Sequence, residues 1–266
     1  LIYPLLVGSL LALTASILGV VLVLKRYSMI GDGLSHVTFG VFAITLGIEF
    51  IDPYLSVFIV IPIVMVAAYF LLRLGESQKI KGDAAIGLIS SAFLAIGYLV
   101  GSQTGFTRDI QSYMFGSITT ATKQDLYYVL PLTIIILLLF VVFQNKIFSV
   151  TFDEDFSKAM GIKTRIYNIA LSIITAIIVV LGIRVMGTLL ISSLIIFPAL
   201  SSMRIFKRFK WSVWASMVIS CICFLIAFFA FTQYSSASSI VLVNLIFYII
   251  VTIFSVLKRK REAKKN

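Results

Sequence analysis

A helix of about 20 mostly apolar residues is long enough to cross the hydrocarbon core of a bilayer. This sequence carries seven such runs: Leu5–Leu24, Tyr54–Leu74, Ala84–Gly101, Leu126–Phe143, Thr164–Gly182, Trp211–Thr232 and Ser238–Leu257. Two shorter runs, Leu34–Phe50 and Met186–Met203, hold more small and polar residues. Lipid offers the backbone no hydrogen-bond partner, so runs this long must be helices. The expected fold is therefore all-α and polytopic, one transmembrane domain over residues 1–266. It has nine spans, or eight if one short run is re-entrant. Composition agrees, with 60% of residues hydrophobic and only 12% charged, where soluble domains hold about 25% charged residues. The first run reads as a retained span rather than a cleaved leader.

A net charge of +11 would suit a nucleic-acid binder, but the distribution of the charge excludes it. With nine spans and the C-terminus in the cytoplasm, the inner connections hold Lys25, Arg26, Arg73, Lys79, Lys81, Lys146, Lys158, Lys163, Arg165, Arg204, Lys207, Arg208 and Lys210. They also hold the basic tail from Lys258 onward. Only Arg108, Lys123 and Arg184 fall outside. This is the positive-inside pattern, and it puts the N-terminus outside. The tail KRKREAKKN then anchors topology at an anionic lipid surface.

Two connections are longer than topology needs, Ser102–Asp125 outside and Gln144–Lys163 inside. Long ordered connections in a compact domain are usually functional. No G-x-x-x-x-G-K-[ST] phosphate loop is present, so if ATP drives this chain, another chain hydrolyses it. Cys221 and Cys223 sit in an apolar run and read as buried thiols.

The sharpest chemical signal is Gly31-Asp32-Gly33-Leu34-Ser35-His36. His36 is the one histidine of the sequence. Asp32 and His36 stand at i, i+4 and share a helix face. A carboxylate and an imidazole both coordinate divalent metals, and Ser35 could support them. Equally, Asp32 could cap the helix while His36 packs on a carbonyl. Two ligands are too few for a transition metal. A two-fold dimer with this face on its axis would supply two Asp and two His, a set that suits Zn²⁺. Gly31, Gly33 and Gly40 allow close backbone approach or a local break. Pro198 is expected to kink its span. The serines around it, Ser192, Ser193, Ser201 and Ser202, could satisfy freed backbone groups or line a polar path. Glu49, Asp52, Asp109 and Asp125 read singly as solvated residues of the outer connections.

On the inner side, Asp153, Glu154 and Asp155 precede a short amphipathic stretch that Gly161 is expected to stop. Phe152, Phe156, Ala159 and Met160 are spaced to share one face. Such a helix suits docking into a partner's groove. The alternative, a helix lying on the membrane surface, is disfavoured by the acids.

Taken together, SMIGDGLSH, FGSITTATKQDL, TFDEDFSKAMGIKT and RVMGTLLISSLIIFPALSSMR resemble the permease subunits of bacterial ABC importers for zinc, manganese or iron(II). The resemblance covers nearly the whole chain. It implies the large-bundle importer fold, similar to the vitamin B12 permease, in a homodimer in the bacterial plasma membrane. It implies two cytoplasmic ATPase subunits and an extracellular solute-binding protein as partners. There would be no enzymatic activity in this chain and no resident cofactor, only the transported Zn²⁺ or Mn²⁺. It further implies that Asp32 and His36 line the path and bind the ion, and that Phe152–Ile162 is the coupling segment, within residues of about 150–163. Zinc is the first expectation and manganese the rival.

Other classes fit less well. A channel or secondary carrier is opposed by the coupling-like segment and the lack of a convincing internal repeat. A membrane metalloprotease is opposed by the lack of H-E-x-x-H. A metal chelate as substrate is opposed by the Asp32/His36 pair, which suits a naked ion.

Overall fold

In the computed structural model, residues 2–46, 53–75, 82–104, 116, 118–230 and 236–263 are described. Among these the chain forms ten α-helices and one 3₁₀ turn at Ile118–Thr120. The helices are α1 (Ile2–Leu24), α2 (Ile30–Leu46), α3 (Pro53–Gly75), α4 (Gly82–Thr104), α5 (Lys123–Phe152), α6 (Glu154–Ala159), α7 (Thr164–Met186), α8 (Thr188–Ile205), α9 (Phe209–Ala230) and α10 (Ser236–Ala263). Within the described residues, each apolar run of the sequence is thus helical. Seven of them, α1, α4, α5 and α7–α10, are long and apolar enough within the described residues to cross a membrane.

Burial sorts these helices into a centre and a periphery. The most apolar stretch of α1 is 72% buried, whereas that of α10 is 11% buried. Helix α1 packs against α5, α7, α8 and α9, and α2 lies between α3 and α4 with further contacts to α7 and α8. Helix α10 closes over α8 and α9. The long helices are apolar around most of their circumference. Inner faces therefore meet protein and outer faces, such as Leu138 and Val142 of α5 or Ile253 and Phe254 of α10, are left for lipid.

Lipid supplies no hydrophobic drive between helices, so close van der Waals approach does the work. At Gly19 of α1, an added Cβ would strike the backbone carbonyl of Ile195 on α8. Gly40 of α2 and Gly97 of α4 mark a second close crossing, where a Cβ on Gly97 would lie 2.8 Å from the Gly40 Cα. The glycines of α2 therefore serve close approach, and α2 is unbroken through Gly31, Gly33 and Gly40.

Two boundaries differ from the sequence expectation. Residues Gln144–Phe152 are helical and extend α5 to 30 residues, so the inner connection is much shorter than Gln144–Lys163. The apolar run ends where Gln144, Asn145 and Lys146 begin, but these are ordinary helix formers and nothing there breaks the ladder. Asp125 is not a solvated loop residue. It is buried at the start of α5, where Thr122 and Asp125 form a capping box. Its carboxylate also lies 3.7 Å from the Arg184 guanidinium at the end of α7. Glu49, Asp52 and Asp109 lie outside the described residues.

Candidate metal path and coupling helix

Helix α2 starts inside the bundle rather than at its edge. After α1 the chain turns through Arg26, which adopts φ 65°, and Tyr27, whose hydroxyl donates to the Leu72 carbonyl at 2.8 Å. Helix α2 then begins at Ile30, which is fully buried. A Cβ on Gly31 would sit 3.0 Å from Ile195 Cδ1 and 3.7 Å from Ser192 Cα. The middle of α8 is thus the shared neighbour of Gly19 and Gly31. On the other side, Gly33 is pressed against Ile86 of α4.

Asp32 and His36 emerge from this start on one face of α2. His36 Nε2 lies 3.6 Å from Asp32 Oδ2, and the two side chains are 28% and 42% exposed. That separation is too long for a hydrogen bond. A tetrahedral ion bound to an imidazole nitrogen and a carboxylate oxygen at the usual bond lengths would hold them about 3.4 Å apart. Ser35 points the opposite way. It is fully buried and donates to the Asp32 backbone carbonyl at 2.6 Å, not to the carboxylate. Among the described residues, no group of three or more His, Cys, Asp or Glu comes together.

Of the four serines read as candidates for the path, Ser192 lies beside the start of α2. Both Ser192 and Ser193 are buried and spend their hydroxyls on their own helix, donating to Thr188 at 3.0 Å and Leu190 at 2.8 Å. Pro198 sits within α8, which continues to Ile205.

At the opposite extreme of exposure is α6. Asp153 caps it, its Oδ1 accepting from the Phe156 amide at 2.9 Å. Gly161 ends it at φ 79°. The Ile162 amide donates to the Ser157 carbonyl and the Gly161 amide to that of Lys158, both at 3.0 Å, the two bonds of a Schellman stop. Phe152, Asp155, Phe156, Ala159 and Met160 all face outward, Phe156 58% and Met160 67% exposed. The only buried member of the turn is Ser157, whose hydroxyl meets that of Ser149 at 2.7 Å. Because a Cβ on Gly161 meets nothing within 4 Å, Gly161→Ala isolates the backbone effect. It is expected to weaken this stop by about 1 kcal/mol, seen as roughly fivefold faster amide exchange at residues 161 and 162. Unchanged exchange would contradict the stop.

The family model described as the ABC 3 transport family matches residues 1–255. The chain belongs to that family. It is 26% identical to the high-affinity zinc uptake system membrane protein ZnuB of Haemophilus influenzae, over 97% of both chains. It is 28% identical to the manganese transport system membrane protein MntC of Bacillus subtilis, an alignment covering 74% of this chain but only 47% of that protein. Among solved structures it resembles PsaBC from Streptococcus pneumoniae in complex with Fab, with TM-score 0.79, 25% identity, and 94% and 89% of the two chains covered. The molecule is thus a membrane-embedded permease of the metal-ion ABC transporter type, a transport subunit with the importer permease fold.

The permease also contains a polar tie that the sequence pattern did not reveal. Lys25 at the end of α1 donates to Asn168 Oδ1 of α7 at 2.6 Å, and Asn168 Nδ2 donates to Glu154 Oε2 of α6 at 3.0 Å. Glu154 also pairs with Lys158 at 3.0 Å and lies 3.8 Å from Lys25. Burial pushes the Glu154 carboxyl up, but hydrogen bonds from Asn168 and Lys158 and the Lys25 charge outweigh it and hold the group below its ordinary range. Glu154 therefore fastens α6 to the ends of α1 and α7, while Asp153 caps and Asp155, exposed to solvent, pairs only within α6 with Lys158 at 3.5 Å.

Proposed function

We propose that this permease is the membrane-spanning half of an ATP-driven importer of a divalent transition-metal ion, working as a homodimer by alternating access. The observation that carries the reading is the facing pair Asp32 and His36. One carboxylate and one imidazole, partly exposed and set within a membrane-embedded bundle, are costly there without a functional role. Two copies about a two-fold axis provide four N/O ligands. The outward apolar side chains on and beside α6, Phe152, Phe156, Ala159 and Met160, are read as the docking surface for a cytoplasmic ATPase. Two ATPase subunits and an extracellular solute-binding protein complete the system. The cluster of lysines and arginines at the α6 end supports a cytoplasmic α6 and C-terminus in a bacterial plasma membrane.

Zn²⁺ is the first reading for the ion, because a two-Asp, two-His set suits tetrahedral coordination. Mn²⁺ is the second, favoured by relatives named for manganese transport. Equilibrium binding of each metal to the purified permease tests the site. The expected result is one ion per two chains, lost in Asp32→Ala. Binding that survives Asp32→Ala, or one ion per chain, would count against a shared site.

A further inference from the structure

A second feature of the bundle is not used by ion transfer. Helices α1, α5 and α7 enclose a groove of about 520 Å³. Leu18 and Val21 form its floor, Leu139 and Phe143 one wall, and Leu171 and Ile174 the other. The floor belongs to the most buried helix of the bundle, so the groove reaches well in from the lipid-facing side of α5. Its charged lining residues are all cationic, Lys25, Lys146 and Lys163, and no acid lines it among the described residues. Lys25 is tied to Asn168 and Glu154. Lys146 and Lys163 are exposed, and neither has a described carboxylate at ion-pair distance. Lys146 lies over the Phe143 ring at 5.9 Å, joining the basic end to the apolar wall.

We infer that this groove holds an anionic diacyl phospholipid, with an acyl chain between α5 and α7 and its phosphate at Lys146 and Lys163. The chemistry is complementary at both ends. An apolar trough inside the membrane takes a hydrocarbon chain, and two cations at its mouth take one phosphate. A soluble anion would gain nothing from the apolar walls, and a zwitterionic lipid would bring its own cation against the lysines. The position gives the occupant a consequence. Gly161, Ile162 and Lys163, the stop of α6, form the end of the groove together with Ile166 and Tyr167 of α7. A bound lipid therefore touches the joint between α6 and α7.

The test reads lipid retention, so it stands or falls separately from metal transport. The purified, delipidated permease is incubated with phosphatidylglycerol or phosphatidylcholine of the same acyl chains, and retained lipid is counted by native mass spectrometry. The wild type is expected to retain phosphatidylglycerol about 25-fold better, the product of two lysines each contributing about fivefold. Lys146→Gln with Lys163→Gln removes that preference. Both side chains are exposed, so the double variant folds as the wild type does. Ala170→Phe, which fills the trough, reduces retention of both lipids. Bound phosphatidylglycerol also slows amide exchange at residues 161–167 in the wild type and not in the double variant. Equal retention of the two lipids by the wild type would overturn the inference. So would an undiminished preference in the double variant, or a retained species that is a fatty acid or a peptide.

Discussion

Asp32→Ala and His36→Ala each reduce ATP-dependent metal uptake at least 100-fold in reconstituted vesicles while leaving the permease folded. The expected size follows from what each substitution removes. Even partners that only orient a ligand cost about 10–100-fold in affinity or activity when lost, and these two residues are the proposed ligands themselves. The expectation that folding survives follows from their surroundings. Both side chains are partly exposed and lie 3.6 Å apart. A typical point substitution costs about 1 kcal/mol, which leaves the fold intact. The contrast is the informative part, since a purely structural pair would lose stability and uptake together. The variants also differ in kind from Ser35→Ala. The Ser35 hydroxyl serves a backbone carbonyl on the buried side of α2, so its loss costs about 1 kcal/mol of stability and spares the ion.

The second large effect lies in packing. Gly19→Val is expected to prevent recovery of monodisperse permease. Its Cβ would overlap the Ile195 carbonyl of α8, and a backbone atom cannot rotate away as a side chain can. Overpacking a core commonly costs about 1–3 kcal/mol, and here the clash separates the two helices from which α2 takes its depth. Gly87→Ala on α4 is the matched control. A Cβ there meets nothing within 4 Å, and alanine is a better helix former than glycine by about 1 kcal/mol. Thermal unfolding in detergent distinguishes them: Gly87→Ala melts at or slightly above the wild-type temperature. A Gly19→Val protein that purifies and melts normally would mean that the α1–α8 crossing is looser than the geometry requires.

What the sequence made legible was governed by the solvent. Lipid forces every span to be a long apolar helix, so the nine runs were readable one by one, including the short polar α2 and α8. The i, i+4 spacing of Asp32 and His36 put them on one face, and they are there. What stayed hidden depends on partners distant in sequence. Asp125 looks like an outer-loop acid until Arg184, at the end of a different span, is seen 3.7 Å away. The three acids at the start of α6 look alike in sequence, yet only Glu154 reaches Lys25 and Asn168. The extension of α5 through Gln144–Phe152 was missed because an apolar run ended, and an apolar run measures membrane depth rather than helix length. The depth of Asp32 was also beyond reach, since it follows from Gly31 meeting the middle of α8.

The central claim is that the permease moves a divalent metal ion at the cost of ATP, through a path containing Asp32 and His36. It is tested most directly by uptake into vesicles that hold the permease with its ATPase and binding protein, with Zn²⁺ and Mn²⁺ compared in wild type and in His36→Ala. ATP-dependent accumulation of one of these ions by the wild type, abolished in His36→Ala, is the predicted result. Accumulation that needs no ATP, or that proceeds unchanged in His36→Ala, would contradict it.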